Sequence, residues 1–167
     1  IQVPRSTPIS RPELDSFISS ELPLTTLQTG NVHCVVISGL SGTGKSSSVV
    51  RFVQERIENF AFALWMDASS EVSLQAQLPR ILKELGASGD GGAPAAVFTA
   101  VMSQIPVPWL LVLDNATDAE STASWVPRSG YGHVVITSTN NSWSDNFAAS
   151  TTVQGFSIEE ARSFFAT

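Results

Sequence analysis

Residues 39–46 combine the residue types that are best suited to chemistry in this chain. They read GLSGTGKS and fit the pattern G-x-x-x-x-G-K-[ST]. Glycines allow a backbone to curl tightly, and they carry no side chain that would collide with a bound anion. Successive backbone N–H groups at a helix N-terminus bind phosphate oxygens, and one lysine adds positive charge. The pattern therefore predicts a loop whose own backbone holds the phosphates of a nucleotide.

The side chains of this loop have separate expected roles. Lys45 is expected to reach the outer phosphates, Ser46 to ligate Mg²⁺ through its hydroxyl, and Ser47 to hydrogen-bond the inner phosphate. The predicted phosphate-binding residues are Ser41, Gly42, Thr43, Gly44, Lys45, Ser46 and Ser47. The simpler alternative is a glycine-rich turn without a ligand. It is disfavoured because a buried strand is predicted before the loop and an amphipathic helix after it.

A loop of this kind also requires an acidic side chain for the metal ion. The apolar run WLLVLD ends in Asp114, and the carboxyl end of a neighbouring strand lies at the same edge of the sheet as the loop. Ser46 and Asp114 are therefore the predicted Mg²⁺ site, with Asp114 acting through water. The alternative role for Asp114 is capping of the next helix. For Asp67, which ends LWMD in the same way, metal binding and a role in helix capping or turn formation remain equally open.

Short apolar runs alternate with helical patterns along the chain, which predicts an α/β fold with a parallel sheet. Strands are predicted at 33–38, 62–66, 109–114, 133–138 and 151–156. Helices are predicted at 11–22, 46–60, 73–86 and 93–105, with a short helical segment at 118–126 and a closing helix that Ser157 and Glu160 cap. Pro79 is expected to kink or split its helix, and Gly86 to end it.

Length, charge and composition exclude several classes of function. The chain has 167 residues, enough for one domain, and it carries a net charge of −6 with nine Lys and Arg residues. A nucleic-acid-binding surface is basic, so we expect no nucleic-acid partner. No apolar run approaches the roughly 18 residues of a membrane span, and no signal peptide is evident. The single cysteine, Cys34, is expected to be an inert core residue in a reducing cytoplasm.

Five segments together resemble the nucleotide-binding domain of STAND NTPases of the NB-ARC type. They are GLSGTGKS, LWMDASS, WLLVLDNA, GHVVITSTN and GFSIEEARSFF, and the resemblance runs from about residue 4 to the end of the chain. The first and third segments are common to many P-loop proteins, whereas the order of all five is more specific. Members of this family act as signalling or innate-immune (NLR-like) switches and often carry TPR repeats.

The resemblance implies a three-layer α/β/α P-loop NTPase fold with a five-stranded sheet in the order 5-1-4-3-2. It implies ATP or ADP as the ligand, nucleotide-dependent self-association, and contacts with other domains of a longer protein. Residues 1–30 would form a lead-in segment and residues 31–167 the nucleotide-binding domain. Within the lead-in, the resemblance places Ile9 and Arg11 on the adenine side, although Ser10 and Pro12 depart from the family's h-h-G-R-E motif.

Two departures from the family pattern concern catalysis. Asn115 stands where many members carry a second acid, and a neutral amide can orient water but cannot take its proton. Thr139 stands where many members carry an arginine that senses the γ-phosphate, and loss of such an arginine costs several powers of ten in rate. We expect Asn115 and Thr139 at most to position water or the γ-phosphate. The expected activity is therefore slow or absent ATP hydrolysis.

Two other classes of function remain open from the sequence. A P-loop small-molecule kinase would need a mobile lid rich in arginine, and the stretch between the third and fourth strands contains only Arg128. An AAA+-like motor ATPase would need contacts with nucleic acid, which the acidic composition disfavours. The favoured interpretation is a regulatory nucleotide switch, in which ADP holds a closed state and ATP with Mg²⁺ favours an open one.

Overall fold

The computed structural model describes residues 11–143, 148–155, 158, 159 and 162. The strands in these residues are β1 (His33–Gly39), β2 (Phe62–Asp67), β3 (Trp109–Ala116), β4 (Gly132–Ser138) and β5 (Ala149–Val153). The α-helices are α1 (Pro12–Glu21), α2 (Lys45–Arg56), α3 (Glu71–Glu84), α4 (Pro94–Gln104) and α5 (Ala119–Ala123). Two 3-10 helices, Leu24–Gln28 and Ile57–Asn59, connect α1 to β1 and extend α2.

The five strands form one sheet in the order β2-β3-β4-β1-β5, and every pairing in it is parallel. Read from the other edge, this is the predicted order 5-1-4-3-2, which is therefore confirmed. β4 lies between β1 and β3, so the strand that leads into the glycine loop and the strand that carries Asp114 are two positions apart. Their carboxyl ends point to the same edge of the sheet.

Hydrophobic cores cover both faces of the sheet, which gives the predicted three layers. On one face, Leu14 and Ile18 of α1 and Phe52 of α2 pack against strand residues such as Val35 and Val135. On the other face, side chains of α3 and α4 pack against the alternate strand residues. This second core includes Leu74, Leu78, Ile81, Phe98, Met102, Trp109, Val36, Leu111, Val134 and Ile136. The strands are nearly continuous apolar runs because both of their faces are buried.

The helix α3 shows why the predicted boundaries shift. It begins at Glu71 because the Ser70 hydroxyl accepts a hydrogen bond from the Ser73 N–H, which caps the helix two residues before the predicted start. It passes through Pro79 as one helix, so the alternative that Pro79 splits it is wrong. Burial of α3 on both sides of the proline outweighs the lost hydrogen bond. Gly86, the predicted end of the helix, follows the C-cap residue Leu85 and takes φ +65°.

Other boundaries differ by a few residues. The helix after the glycine loop gives way to the 3-10 segment at Ile57 instead of continuing to residue 60, and α1 and α4 are each one residue shorter at both ends than predicted. β3 extends to Ala116 beyond the predicted end at 114, and β5 occupies 149–153 in place of 151–156. The predicted capping pair Ser157 and Glu160 lies outside the described residues.

Side chains pack closely at the amino-terminal ends of the strands. His133 is fully buried, its Nε2 lies 2.8 Å from the Thr26 hydroxyl, and its ring meets the Phe60 ring edge-on. Burial, with the charges of His33 and Arg56, lowers the pKa of His133 to about 4. Burial likewise raises the pKa of the Cys34 thiol. None of the helices described has the length and apolar character needed to cross a membrane.

Candidate functional site

The glycine loop turns sharply between β1 and α2. Gly39 has φ +151°, and a Cβ atom on it would lie 2.4 Å from the Val153 carbonyl oxygen of the neighbouring strand. Only glycine tolerates that approach, so the end of β5 lies in close contact with the start of the loop. Gly42 and Gly44 take φ +77° and +83°, and a Cβ on Gly42 would meet no atom within 4 Å. The loop therefore curls around open space at the N-terminus of α2.

Lys45 is the first residue of α2 and is 8% exposed. Its Nζ donates hydrogen bonds to the carbonyl oxygens of Gly39 at 2.8 Å and Leu40 at 2.7 Å. Burial lowers the pKa of Lys45, and the negative charge of Asp114 partly opposes that change. The Thr43 hydroxyl also donates to the Leu40 carbonyl, at 2.8 Å, so the side chain of Thr43 serves the loop's own structure.

The predicted metal ligands lie together. The Ser46 hydroxyl donates a hydrogen bond of 2.7 Å to Asp114 Oδ1, although 68 residues separate the two along the chain. A hydroxyl and a carboxylate beside a phosphate site are the hard oxygen ligands that Mg²⁺ prefers, so these residues fit that ion. The described residues contain no group of three or more His, Cys, Asp or Glu side chains that could hold a metal. Phosphate oxygens and water would complete the coordination of Mg²⁺ here.

An irregularity in β3 orients Asp114. Leu113 pairs with Ile136 and Ala116 pairs with Ser138, so Asp114 and Asn115 together lie opposite the single residue Thr137. This is a β-bulge, with one extra residue in β3. Asn115 has φ +62° and is the one non-glycine residue at positive φ in the described chain. Left-handed backbone at a non-glycine residue is uncommon, and asparagine tolerates it better than most residues.

A cleft of about 520 Å³ opens at this edge of the sheet. Its lining residues are Ser41, Gly42, Gly44, Lys45, Ser46, Ser47, Asp114, Asn115, Thr137 and Thr139. It therefore brings together six of the seven predicted loop residues, both predicted Mg²⁺ ligands, and Asn115 and Thr139. Among these residues Lys45 is the one cation. The cleft can hold a polyanion against the loop backbone, and its lining contributes one positive side chain, Lys45, and one negative side chain, Asp114.

Of the two predicted adenine-side residues, Arg11 is described and does not line this cleft. Ile9 is outside the described residues. Arg11 is 6% exposed at the start of α1, and its Nη1 donates to the Gln154 carbonyl oxygen at 3.1 Å, just beyond the end of β5. Since β5 also contacts Gly39, Arg11 is anchored one strand away from the loop. Its assignment to the adenine side stays a prediction.

Asp67 has a local role in the structure. Its Oδ1 accepts a hydrogen bond from the Ser69 N–H and its Oδ2 accepts one from the Ser73 hydroxyl, each at 2.9 Å. Both oxygens are thus used within the turn from β2 into α3. Of the two roles that the sequence left open, the structure shows the turn-forming one.

Thr137 is a residue of the site that the sequence reasoning did not identify. It is 1% exposed in β4, yet its hydroxyl contacts both Asp114 and Asn115. The sequence signal was a polar pair, Thr137 and Ser138, at the end of the apolar run HVVI. A polar residue at the buried carboxyl end of a central strand indicates a role at that edge.

Comparisons with known proteins identify the fold. No protein-family model matches this sequence, and a search of curated proteins finds no match. The crystal structure of Cdc6p from Pyrobaculum aerophilum is similar, with a TM-score of 0.72 and 13% sequence identity over 99% of this chain and 50% of that chain. The structure of PCH-2 from C. elegans has a TM-score of 0.48 and 10% identity over 90% of this chain and 44% of that one.

The chain therefore spans about half the length of these two proteins. At 13% identity the likeness to Cdc6p concerns the fold alone. The likeness to PCH-2, with its lower TM-score, is too weak to support a conclusion. Together with the parallel sheet in the order β2-β3-β4-β1-β5, the likeness to Cdc6p shows that this chain has a P-loop NTPase fold.

Proposed function

We propose that the cleft binds ADP or ATP with Mg²⁺. The observation that carries this proposal is the hydrogen bond of 2.7 Å between Ser46 and Asp114. It joins the first turn of α2 to the end of β3, which places a hydroxyl and a carboxylate beside the glycine loop, in which Gly42 is exposed. Lys45 supplies one positive charge, and the N-terminus of α2 supplies backbone N–H groups for phosphate oxygens.

We propose further that the site serves as a switch. Asn115 and Thr139 line the cleft, and neither can accept a proton from water or neutralise a γ-phosphate. Lys45 is the one cation of the lining, so an arginine for the γ-phosphate would have to come from elsewhere. These features favour retention of a nucleotide over its hydrolysis. They fit the regulatory role that the resemblance to NB-ARC domains implies, in which the bound nucleotide controls signalling and self-association in the cytoplasm together with other domains.

Nucleotide binding is tested by titration calorimetry with ADP and ATP, each with Mg²⁺ and with EDTA, together with analysis of the nucleotide that co-purifies. Lys45→Ala removes the charge and should weaken binding at least about tenfold, because a phosphate loses its charge-assisted hydrogen bond. The chain has one other lysine, Lys83, which is exposed near the end of α3. Lys83→Ala is the matched control and should bind as the wild type does.

Two results would contradict this proposal. If the wild-type chain neither carries nor binds a nucleotide, and shows no thermal shift with ADP or ATP, the cleft is not a nucleotide site. If the isolated chain hydrolyses ATP much faster than about 1 per second, the rate is in the range of working phosphotransferases and the switch role fails. Rapid ATP use that depends on an added nucleoside or sugar would instead indicate a small-molecule kinase.

A second candidate function is an ATPase of the AAA+ type that works on nucleic acid. The fold likeness to Cdc6p favours an AAA+-type domain, whereas the net charge of −6 disfavours a nucleic-acid surface. Salt-dependent binding of duplex DNA, with stimulation of ATP hydrolysis, would favour this candidate over the switch. We expect no DNA binding at 0.15 M salt.

A further inference from the structure

We propose that Thr137 is a positioning residue that holds Asp114 and Asn115 in the orientation that metal-linked nucleotide binding requires. This inference rests on the proposed nucleotide function. The hydroxyl of Thr137 donates to Asp114 Oδ1 and accepts the backbone N–H of Asn115 at 2.8 Å. A hydroxyl carries one proton, so a single rotor position satisfies both contacts. The β-branched side chain restricts χ1 further.

The β-bulge makes this hydroxyl necessary. Asp114 and Asn115 lie opposite one residue of β4, and the backbone at Asn115 takes φ +62°. In that conformation the Asn115 N–H finds its acceptor in the side chain of Thr137. Without the hydroxyl this donor would lose its protein partner at a strained position. The bulge and the threonine therefore form one unit.

The same unit determines which oxygen of Asp114 stays available. Oδ1 accepts two O–H donors, one from Ser46 and one from Thr137. Within the described residues, Oδ2 accepts no hydrogen bond. A carboxylate held by two donors on one oxygen cannot rotate freely, so its other oxygen keeps a defined direction at the cleft. Asp114 also keeps the proton of Ser46 directed toward itself, which leaves the lone pairs of Ser46 for a cation.

The fold thus gives Thr137 a role that is distinct from packing. Ser138, the next residue, is equally buried and its hydroxyl donates to the Ala116 carbonyl at 2.6 Å, so it supports the same bulge without touching Asp114. A purely structural role for Thr137 would make the two residues equivalent. A positioning role predicts that only Thr137 affects the contribution of Mg²⁺.

The experiment compares ADP affinity in Mg²⁺ with ADP affinity in EDTA, by titration calorimetry, for Thr137→Val, Thr137→Ser and Ser138→Ala. Partners that orient a metal ligand typically contribute about 10-fold to 100-fold to metal affinity. We therefore expect Thr137→Val to reduce the Mg²⁺-dependent gain in affinity about tenfold, with the affinity in EDTA changed less than about twofold. Thr137→Ser should restore the gain, and Ser138→Ala should keep it.

Mn²⁺ provides a second readout that does not depend on heat of binding. Electron paramagnetic resonance of Mn²⁺ with bound ADP should show weaker retention of the ion in Thr137→Val and normal retention in Thr137→Ser. If Thr137→Val does not fold, Thr137→Ala is measured in its place with the same expectation.

The outcomes separate this inference from the proposed function. A wild-type chain without nucleotide binding overturns both. A wild-type chain with a clear Mg²⁺-dependent gain, together with a Thr137→Val chain that keeps that gain in full, overturns this inference alone. Equal losses in Thr137→Val and Ser138→Ala would also overturn it, because they indicate a general effect on the bulge.

Discussion

Asp67 and Asp114 occupy equivalent positions on neighbouring strands, yet the tertiary structure gives them different roles. Each ends an apolar run, and the two residues are direct register partners in the pairing of β2 with β3. Asp67 accepts hydrogen bonds from Ser69 and Ser73, which lie two and six residues away. Asp114 accepts from Ser46 and Thr137, which lie 68 and 23 residues away. A strand-end aspartate is thus a site candidate when its partners come from distant elements.

The path of the backbone explains why Asp67 and Asp114 have different hydrogen-bond partners. β2 ends at Asp67, and the chain enters α3 almost at once through the cap at Ser70. β3 instead continues past Asp114 through the bulge. The bulge changes the direction of the side chains at the end of β3, whereas the cap draws the side chain of Asp67 into its own turn.

The largest expected effect is on the Mg²⁺-dependent gain in ADP affinity, in which variants of the two aspartates should differ. Asp114→Asn replaces a charged ligand with a neutral amide and should reduce the Mg²⁺-dependent gain in ADP affinity by about 10-fold to 100-fold. Asp67→Asn should change that gain by less than about twofold, because its oxygens serve the turn. Titration calorimetry with Mg²⁺ and with EDTA measures both variants. Equal losses would show that the comparison is wrong and that Asp67 also serves the cleft.

The residue after Asp114 gives the next largest effect. Asn115→Asp introduces a carboxylate at the cleft that can accept a proton from water, so the rate of ATP hydrolysis should rise about tenfold or more at pH 7. Aspartate tolerates the left-handed backbone at this position nearly as well as asparagine.

Asn140→Asp is the control for this change, because Asn140 lies at the same edge of the sheet without lining the cleft. A phosphate-release assay measures all three chains. If Asn115→Asp leaves the rate unchanged, or if both variants raise it equally, then residue 115 does not limit hydrolysis.

Acid titration tests the local role of Asp67. Burial raises its pKa, but the hydrogen bonds from Ser69 and Ser73 lower it more, so the pKa in the folded state lies below the ordinary value of 3.8. A lowered carboxyl pKa contributes stability above pH 3.8, and that contribution is lost as pH falls through the folded-state pKa. Asp67→Asn should therefore lower the free energy of unfolding at pH 7 by about 1 kcal/mol or less.

The difference between Asp67→Asn and wild type should shrink as pH falls through the folded-state pKa, because protonation removes the charge of the Asp67 carboxyl. Urea unfolding at pH 7, 5 and about 2 measures it. His133, whose pKa is about 4, lowers stability between about pH 6.5 and 4 in both chains, so its contribution cancels in the comparison. A difference that stays constant from pH 7 to 2 would exclude a charge-dependent role.

The smallest expected effect concerns the partner of Asp67. Ser73→Ala removes the exposed hydrogen bond to Asp67 and a longer one of 3.5 Å from Gln77 Nε2, and it should lower the free energy of unfolding by about 0.5 kcal/mol. It should leave nucleotide affinity unchanged. Ser20→Ala is the matched control, because its exposed hydroxyl donates to the Phe17 carbonyl of its own helix. A loss of nucleotide affinity in Ser73→Ala would connect the Asp67 turn to the cleft.

Much of the fold was predictable because its signals are local. Short apolar runs indicated the five strands, and the pattern GLSGTGKS indicated the loop between a strand and a helix. The sheet order followed from the resemblance to a known family, since nothing local distinguishes one parallel order from another. Helix boundaries shifted where a cap competed with the apolar pattern, as Ser70 shows at the start of α3.

The candidate site was predictable in part, for the same reason. Lys45, Ser46 and Asp114 each belong to a short pattern, and the structure places all three at one cleft. The sequence left the role of Asp67 open and did not identify Thr137, because both depend on which side chains meet across the strands. Thr137 in particular is defined by two contacts, 22 and 23 residues away.

By itself the sequence determined the strands, the glycine loop and the identity of its lysine and hydroxyl groups, since these depend on propensity and spacing along the chain. Only the tertiary structure decided that Asp114 faces Ser46 while Asp67 faces its own turn. The physical reason is the bulge in β3, which exists only when β4 lies beside it and offers the hydroxyl of Thr137 to the strained backbone of Asn115.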